Sequence, residues 1–79
     1  KWRFLMFDVP HSEKLSREAL RKKLKQLGFL QFQKSVWVYP YPCQQEIDFI
    51  GDFFVISPYL NLLTVQLEDD EPLRLKFKL

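Results

Sequence analysis

The apolar positions of this chain change period several times, and each change marks an element. Residues 2 to 7, Trp-Arg-Phe-Leu-Met-Phe, form a short, almost continuous apolar run closed by Asp8-Val9-Pro10. A run of that length ended by a proline, which has no N–H for a ladder, predicts a buried strand and a turn. From there to Leu27 the period is helical: Leu20, Leu24 and Leu27 share one face, with Ser16 on the same side. Ser12 is the predicted N-cap, Glu13 falls in the first turn, and Gly28 is the predicted left-handed C-cap. Residues 29–32 and 36–39 are rich in β-branched and aromatic side chains, and three polar residues between them predict a hairpin. In the second of these strands Val36 and Val38 face one way, Ser35, Trp37 and Tyr39 the other.

The remaining length repeats the theme. Residues 44–56 predict a helix with Ile47, Ile50 and Phe54 as its buried stripe and Phe53 broadening it. Gly51 inside that helix, at a cost of about 1 kcal/mol relative to Ala, points to close packing. Pro58 ends the helix, and residues 60–67 predict a fourth strand. After the acidic turn Glu68-Asp69-Asp70-Glu71-Pro72, the residues Leu73, Leu75, Phe77 and Leu79 alternate with Arg74, Lys76 and Lys78. Strict period two predicts a fifth, half-buried strand.

This order predicts an α+β fold, a ferredoxin-like βαββαβ sandwich with both helices on one face, an extra C-terminal strand and a single domain over residues 1–79. The sheet's other face then lacks a cover. A twofold partner would supply one, which predicts a homodimer in which residues 73–79 complete the partner's sheet edge. Leu73, Leu75, Phe77 and Leu79 are the expected interface. Thirteen aromatic residues in 79 strengthen this expectation. A chain of this size buries only about 60% of the surface its unfolded form exposes, so part of that apolar supply is expected to face a second chain.

Composition excludes several classes. No apolar run approaches the roughly 20 residues that cross a bilayer. A single cysteine, Cys43, cannot close an internal disulfide, and the first residues lack a leader-like cleavage site; the expectation is a reducing, cytoplasmic setting. The net charge of +2 hides a division. Residues 1–40 carry nine Lys or Arg against three acids, and residues 41–79 carry three against seven. A basic half predicts a surface for phosphates of DNA or RNA, and the candidates are Arg17, Arg21 and Lys25, repeating every four residues, with Lys14 beside them. A solvated helix face accounts for the same residues.

Reactive chemistry has few candidates. Asp8 stands at the end of the first strand. Paired with its copy across a twofold axis it would suit Mg²⁺ or Mn²⁺ and a metal-assisted phosphodiester hydrolysis; alone it would form an Asx turn. His11 is a proton donor or acceptor within reach of neutral pH, or an exposed loop residue. Cys43 opens the second helix, without the partners of a nucleophile. Only two glycines occur, which excludes a glycine-rich phosphate loop. Trp37 and Tyr39 on a central strand would stack bases in an RNA-binding sheet, or pack against the fold's own helices.

Phe7-Asp8-Val9-Pro10, then Arg17 and Leu20-Arg21, then Leu27-Gly28-Phe29, Gln33-Lys34-Ser35-Val36-Trp37 and Pro40 together resemble the Cas-two-like ferredoxin-fold family. That family contains the small CRISPR adaptation proteins and the central domain of PaaX-type transcriptional repressors. The resemblance implies a ferredoxin-like homodimer whose last strand completes the partner's sheet. In the adaptation branch it implies an integrase partner and, in some members, a metal-dependent endonuclease using the Asp at the first strand's end, here Asp8. In the repressor branch it implies a neighbouring winged-helix DNA reader. The Asp-Val-Pro turn, the Arg-x3-Arg helix and the Trp-Val-Tyr-Pro strand end look more like the repressor branch.

Overall fold

The computed structural model describes residues 1–79. Four strands, β1 (Trp2–Phe7), β2 (Leu30–Gln33), β3 (Val36–Tyr39) and β4 (Leu60–Val65), are interleaved with α1 (Lys14–Leu27) and α2 (Gln44–Phe53) and followed by α3 (Glu71–Lys76). The strands form one antiparallel sheet in the order β2-β3-β1-β4, with a bulge in β2 between Gln31 and Gln33.

Register assigns every strand residue to a face. Leu5 opposes Trp37 on one side and Leu62 on the other, and Phe7 opposes Leu60. These residues meet Leu20 and Leu24 of α1 and Ile47 and Ile50 of α2 in the main core, joined by Phe29, Cys43 and Ile56. One residue out of phase, Phe4 opposes Val38 and Leu63, and Trp2 opposes Val65. This second face has only a small cluster of Trp2, Val38 and Leu73, flanked by Phe4, Leu30, Leu67 and Phe77.

All three helices stop in the same way, with a left-handed residue just past the end and two reversed hydrogen bonds. After α1 it is Gly28 (φ 102°), whose N–H donates to the Lys25 carbonyl while that of Phe29 donates to Leu24 at 2.9 Å. After α2 it is Val55 (φ 56°), with Ile56 N–H donating to Gly51 O at 2.8 Å. After α3 it is Lys78 (φ 59°), with Leu79 N–H donating to Arg74 O at 2.8 Å. Gly51 is buried against the following turn, as its position in the helix predicts: a Cβ there would lie 2.6 Å from Ser57 Oγ and 3.2 Å from its Cα.

Several sequence expectations are corrected. Ser12 does not cap α1; it sits inside a single 3-10 turn (His11–Glu13), and Glu13 precedes the helix without a side-chain capping bond. Phe29 belongs to the core rather than to β2, and β4 ends at Val65 rather than at Leu67. Phe53 does not broaden the stripe of α2: it is 68% exposed, because Ile47, Ile50 and Phe54 set the rotation that faces the core.

The largest correction concerns residues 73–79, which are not a strand. Pro72 stands in the first turn of α3, where its missing N–H has no bond to lose. Leu73 and Phe77, four residues apart, then reach Trp2 and Val38 on the second sheet face, with the Trp2 and Phe77 ring centroids 5.6 Å apart. Trp2 Nε1 donates to Asp70 Oδ2 at 2.9 Å and anchors the approach. A helix satisfies its own backbone and covers apolar surface within one chain, whereas the strand needed a second chain's edge. Leu75 and Leu79 stay exposed, which the alternating pattern did not foresee.

Candidate functional site

The end of β1 is pinned from both sides. Phe7 N–H donates to the Ser35 carbonyl and Asp8 N–H to the Tyr59 carbonyl, each at 3.1 Å. These bonds set Asp8 between the β2–β3 turn and the segment that enters β4. The chain then closes its 3-10 turn through Glu13 N–H and Pro10 O at 2.9 Å and enters α1. Burial of Leu20 and Leu24 fixes the rotation of α1. That leaves Arg17 and Arg21, one turn apart, half-buried at the margin of the core. Such stems lie along apolar surface while their heads reach for polar surroundings.

The outcome is a concave basin of about 370 Å³, lined by Asp8, His11, Arg17, Arg21, Lys34 and Ser35 over Phe7 and Val9. The Nε atoms of Arg17 and Arg21 are buried and have no hydrogen-bond partner. Three fixed cations face a single carboxylate, so the local field favours an anion. Guanidinium groups suit carboxylate and phosphate oxygens, which accept two parallel N–H bonds.

A resident divalent metal fits this set poorly. Asp8 is the one carboxylate in the basin, and no group of three His, Cys, Asp or Glu side chains stands together in the chain. Three cationic neighbours would oppose Mg²⁺ or Mn²⁺, which are held by clustered carboxylates and waters.

Among the sequence-derived candidates, Asp8, His11, Arg17 and Arg21 are brought together, while Lys14 and Lys25 are exposed on α1 outside the basin. Lys34 and Ser35 complete the wall; in the sequence they stand within the family motif but not among the candidate site residues. A signal for them existed: once β1 and β3 are antiparallel neighbours, the turn before β3 must meet the end of β1. Trp37 and Tyr39 face the helices and not a nucleic acid. Trp37 is buried and Tyr39 stacks on Phe29 with centroids 4.6 Å apart. Cys43 is buried at the start of α2; desolvation pushes its thiol above the ordinary value of 9.0, assisted by Glu46 and opposed by Arg3. It stays a protonated thiol and a poor nucleophile at neutral pH.

A larger, apolar groove of about 460 Å³ runs between α1 and α2, where Phe49 and Phe53 stack at 6.0 Å beside Lys22 and Lys23. It lies apart from the titratable cluster. On the sheet's second face α3 leaves Met6, Phe32 and Leu63 at 38%, 54% and 45% exposure.

Strand order, antiparallel pairing and the two helices sharing one core are those of an α+β domain of ferredoxin-like class. Residues 1–75 match the family model described as the PaaX protein central Cas2-like domain, and the chain belongs to that family. Neither a curated protein nor a solved structure matches it. No helix is long and apolar enough to cross a membrane.

Proposed function

We propose that this chain is a nucleic-acid-associated dimerisation unit of a PaaX-type transcriptional regulator. Two copies meet through the second sheet face, and a twofold axis sets the spacing of winged-helix DNA readers joined to them. The observation that carries this reading is the uncovered strip of Met6, Phe32 and Leu63 beside α3. Phe4 and Phe32 already pack edge to face there, with ring centroids 5.6 Å apart, so the strip is continuous across strands. Apolar surface on a sheet face is normally covered, and a self-complementary patch is the simplest cover. α1 lies on the opposite side of the sheet, so this pairing leaves Arg17, Arg21, Lys25 and Lys14 free to contact phosphates.

Sedimentation equilibrium at micromolar concentration tests the pairing. The expected mass is twice that of the chain, falling to the monomer's in Phe32→Glu and Leu63→Glu with the circular dichroism spectrum retained. A monomeric wild type overturns the proposal. Mg²⁺- or Mn²⁺-dependent cleavage of DNA or RNA that disappears in Asp8→Ala would instead favour the endonuclease reading, with Asp8 as metal ligand.

A further inference from the structure

We infer that the basin at the end of β1 is a seat for one phosphate group, presented end-on by a ligand that also offers a hydrogen-bond donor. The inference shares with the proposed function the assignment of Arg17 and Arg21 to phosphate, and it does not depend on dimerisation.

Four separate segments converge on the basin: the end of β1, the 3-10 turn, α1 and the β2–β3 turn. The turn is itself braced, since Gln31 Nε2 donates to the Lys34 carbonyl at 3.2 Å. Arg17 Nε and Arg21 Nε are withdrawn from water and partnered by nothing, Asp8 included. Buried donors without acceptors are uncommon in folded proteins, and both guanidinium groups line a basin where an anion would supply the acceptor they lack. A phosphate offers several oxygens to two guanidinium groups and an ammonium at once.

The basin itself has room for one phosphate, and the contacts proposed for Lys14 and Lys25 lie along α1 beyond it. Asp8 is the exception in a positive field. Its carboxylate would repel a bare phosphate, and it becomes favourable when it accepts a hydrogen bond from a hydroxyl or amine next to that phosphate. This combination describes a phosphorylated, hydroxyl-bearing molecule such as a nucleotide or a sugar phosphate, or the phosphorylated end of a nucleic-acid strand.

The test follows the arginine Nε–Hε resonances of the full chain by NMR during titration with inorganic phosphate, with sodium chloride at matched ionic strength as the control. Phosphate should shift the Arg17 and Arg21 signals saturably, and chloride should not. Arg17→Gln and Arg21→Gln should each weaken binding roughly tenfold, as expected for loss of one charge-assisted hydrogen-bonding group. Lys34→Gln, at an exposed position of the β2–β3 turn, should weaken it several-fold, and Lys76→Gln, on α3 and outside the basin, should leave it unchanged. Competition by adenosine monophosphate and by a short 5′-phosphorylated duplex then identifies the source of the phosphate. Equal shifts with chloride and phosphate overturn the inference, as does unaltered binding in both Arg21→Gln and Lys34→Gln. A chain that sediments as a monomer yet binds phosphate through Arg21 removes the proposed dimer and leaves the seat standing.

Discussion

Val55 holds a left-handed conformation that β-branched residues avoid, with its side chain 81% exposed. It stands one residue past the C-cap of α2 and supplies the left-handed residue that Gly28 supplies after α1. The strain of an L-residue there is about 1–2 kcal/mol, and little burial is lost by removing this side chain. Val55→Gly should therefore stabilise the chain by about 1 kcal/mol, raising the thermal midpoint by roughly 4–8 °C for a domain of this size. Differential scanning calorimetry checks it, and a lowered midpoint would show that the Val55 backbone is not strained. At this scale Gly28 was legible in the sequence because a glycine after a helical period has one common use. Val55 was not, because nothing local distinguishes a valine forced into that position from one in a strand.

Elements were read correctly where a long-range requirement and a local period agreed. Leu20, Leu24 and Leu27 gave the same face for α1 in sequence and structure, and Val36 and Val38 gave the same face for β3. Residues 73–79 show the opposite case: an alternating pattern that became a helix. The six residues of α3 are far below the length at which an isolated helix is stable, so packing must hold it. Leu73 is its only buried side chain. Leu73→Ala should cost about 2–3 kcal/mol locally. Hydrogen exchange should show the amides of residues 74–79 losing protection while those of β1 and β3 keep theirs. Retained protection in α3 would mean that Phe77 and the Trp2–Asp70 hydrogen bond suffice to hold it.

Over the whole molecule, charge and apolar surface are separated by the sheet. The helices cover one face, with Lys14 and Lys25 exposed on α1 and Arg17 and Arg21 half-buried at its margin. The other face carries the strip of Met6, Phe32 and Leu63 next to α3. Pairing through the strip would place two basic helix layers on opposite outer sides of a dimer. Reversing Arg17, Arg21 and Lys25 to Glu should then weaken binding to duplex DNA at low salt and flatten its salt dependence. Each lost phosphate contact removes about 0.9 from the slope of log affinity against log salt. Fluorescence anisotropy over a salt series reads both quantities, and an unchanged slope would reduce the stripe to solvated surface.

The sequence alone determined the order of the first six regular elements, the core face of α1, the alternation of β3 and the family resemblance. Each follows from period, from turn-forming residues or from a contiguous motif, and those are properties of neighbours along the chain. Only the tertiary structure decided that residues 71–76 wind into a helix, that Phe53 turns to solvent, and that Lys34 and Ser35 join Asp8, Arg17 and Arg21 around one basin. The reason is that helix and strand compete for the same apolar residues, and the competition is settled by what surface lies within reach. For Leu73 and Phe77 that surface is Trp2 and Val38, supplied by strands more than thirty residues away in the chain.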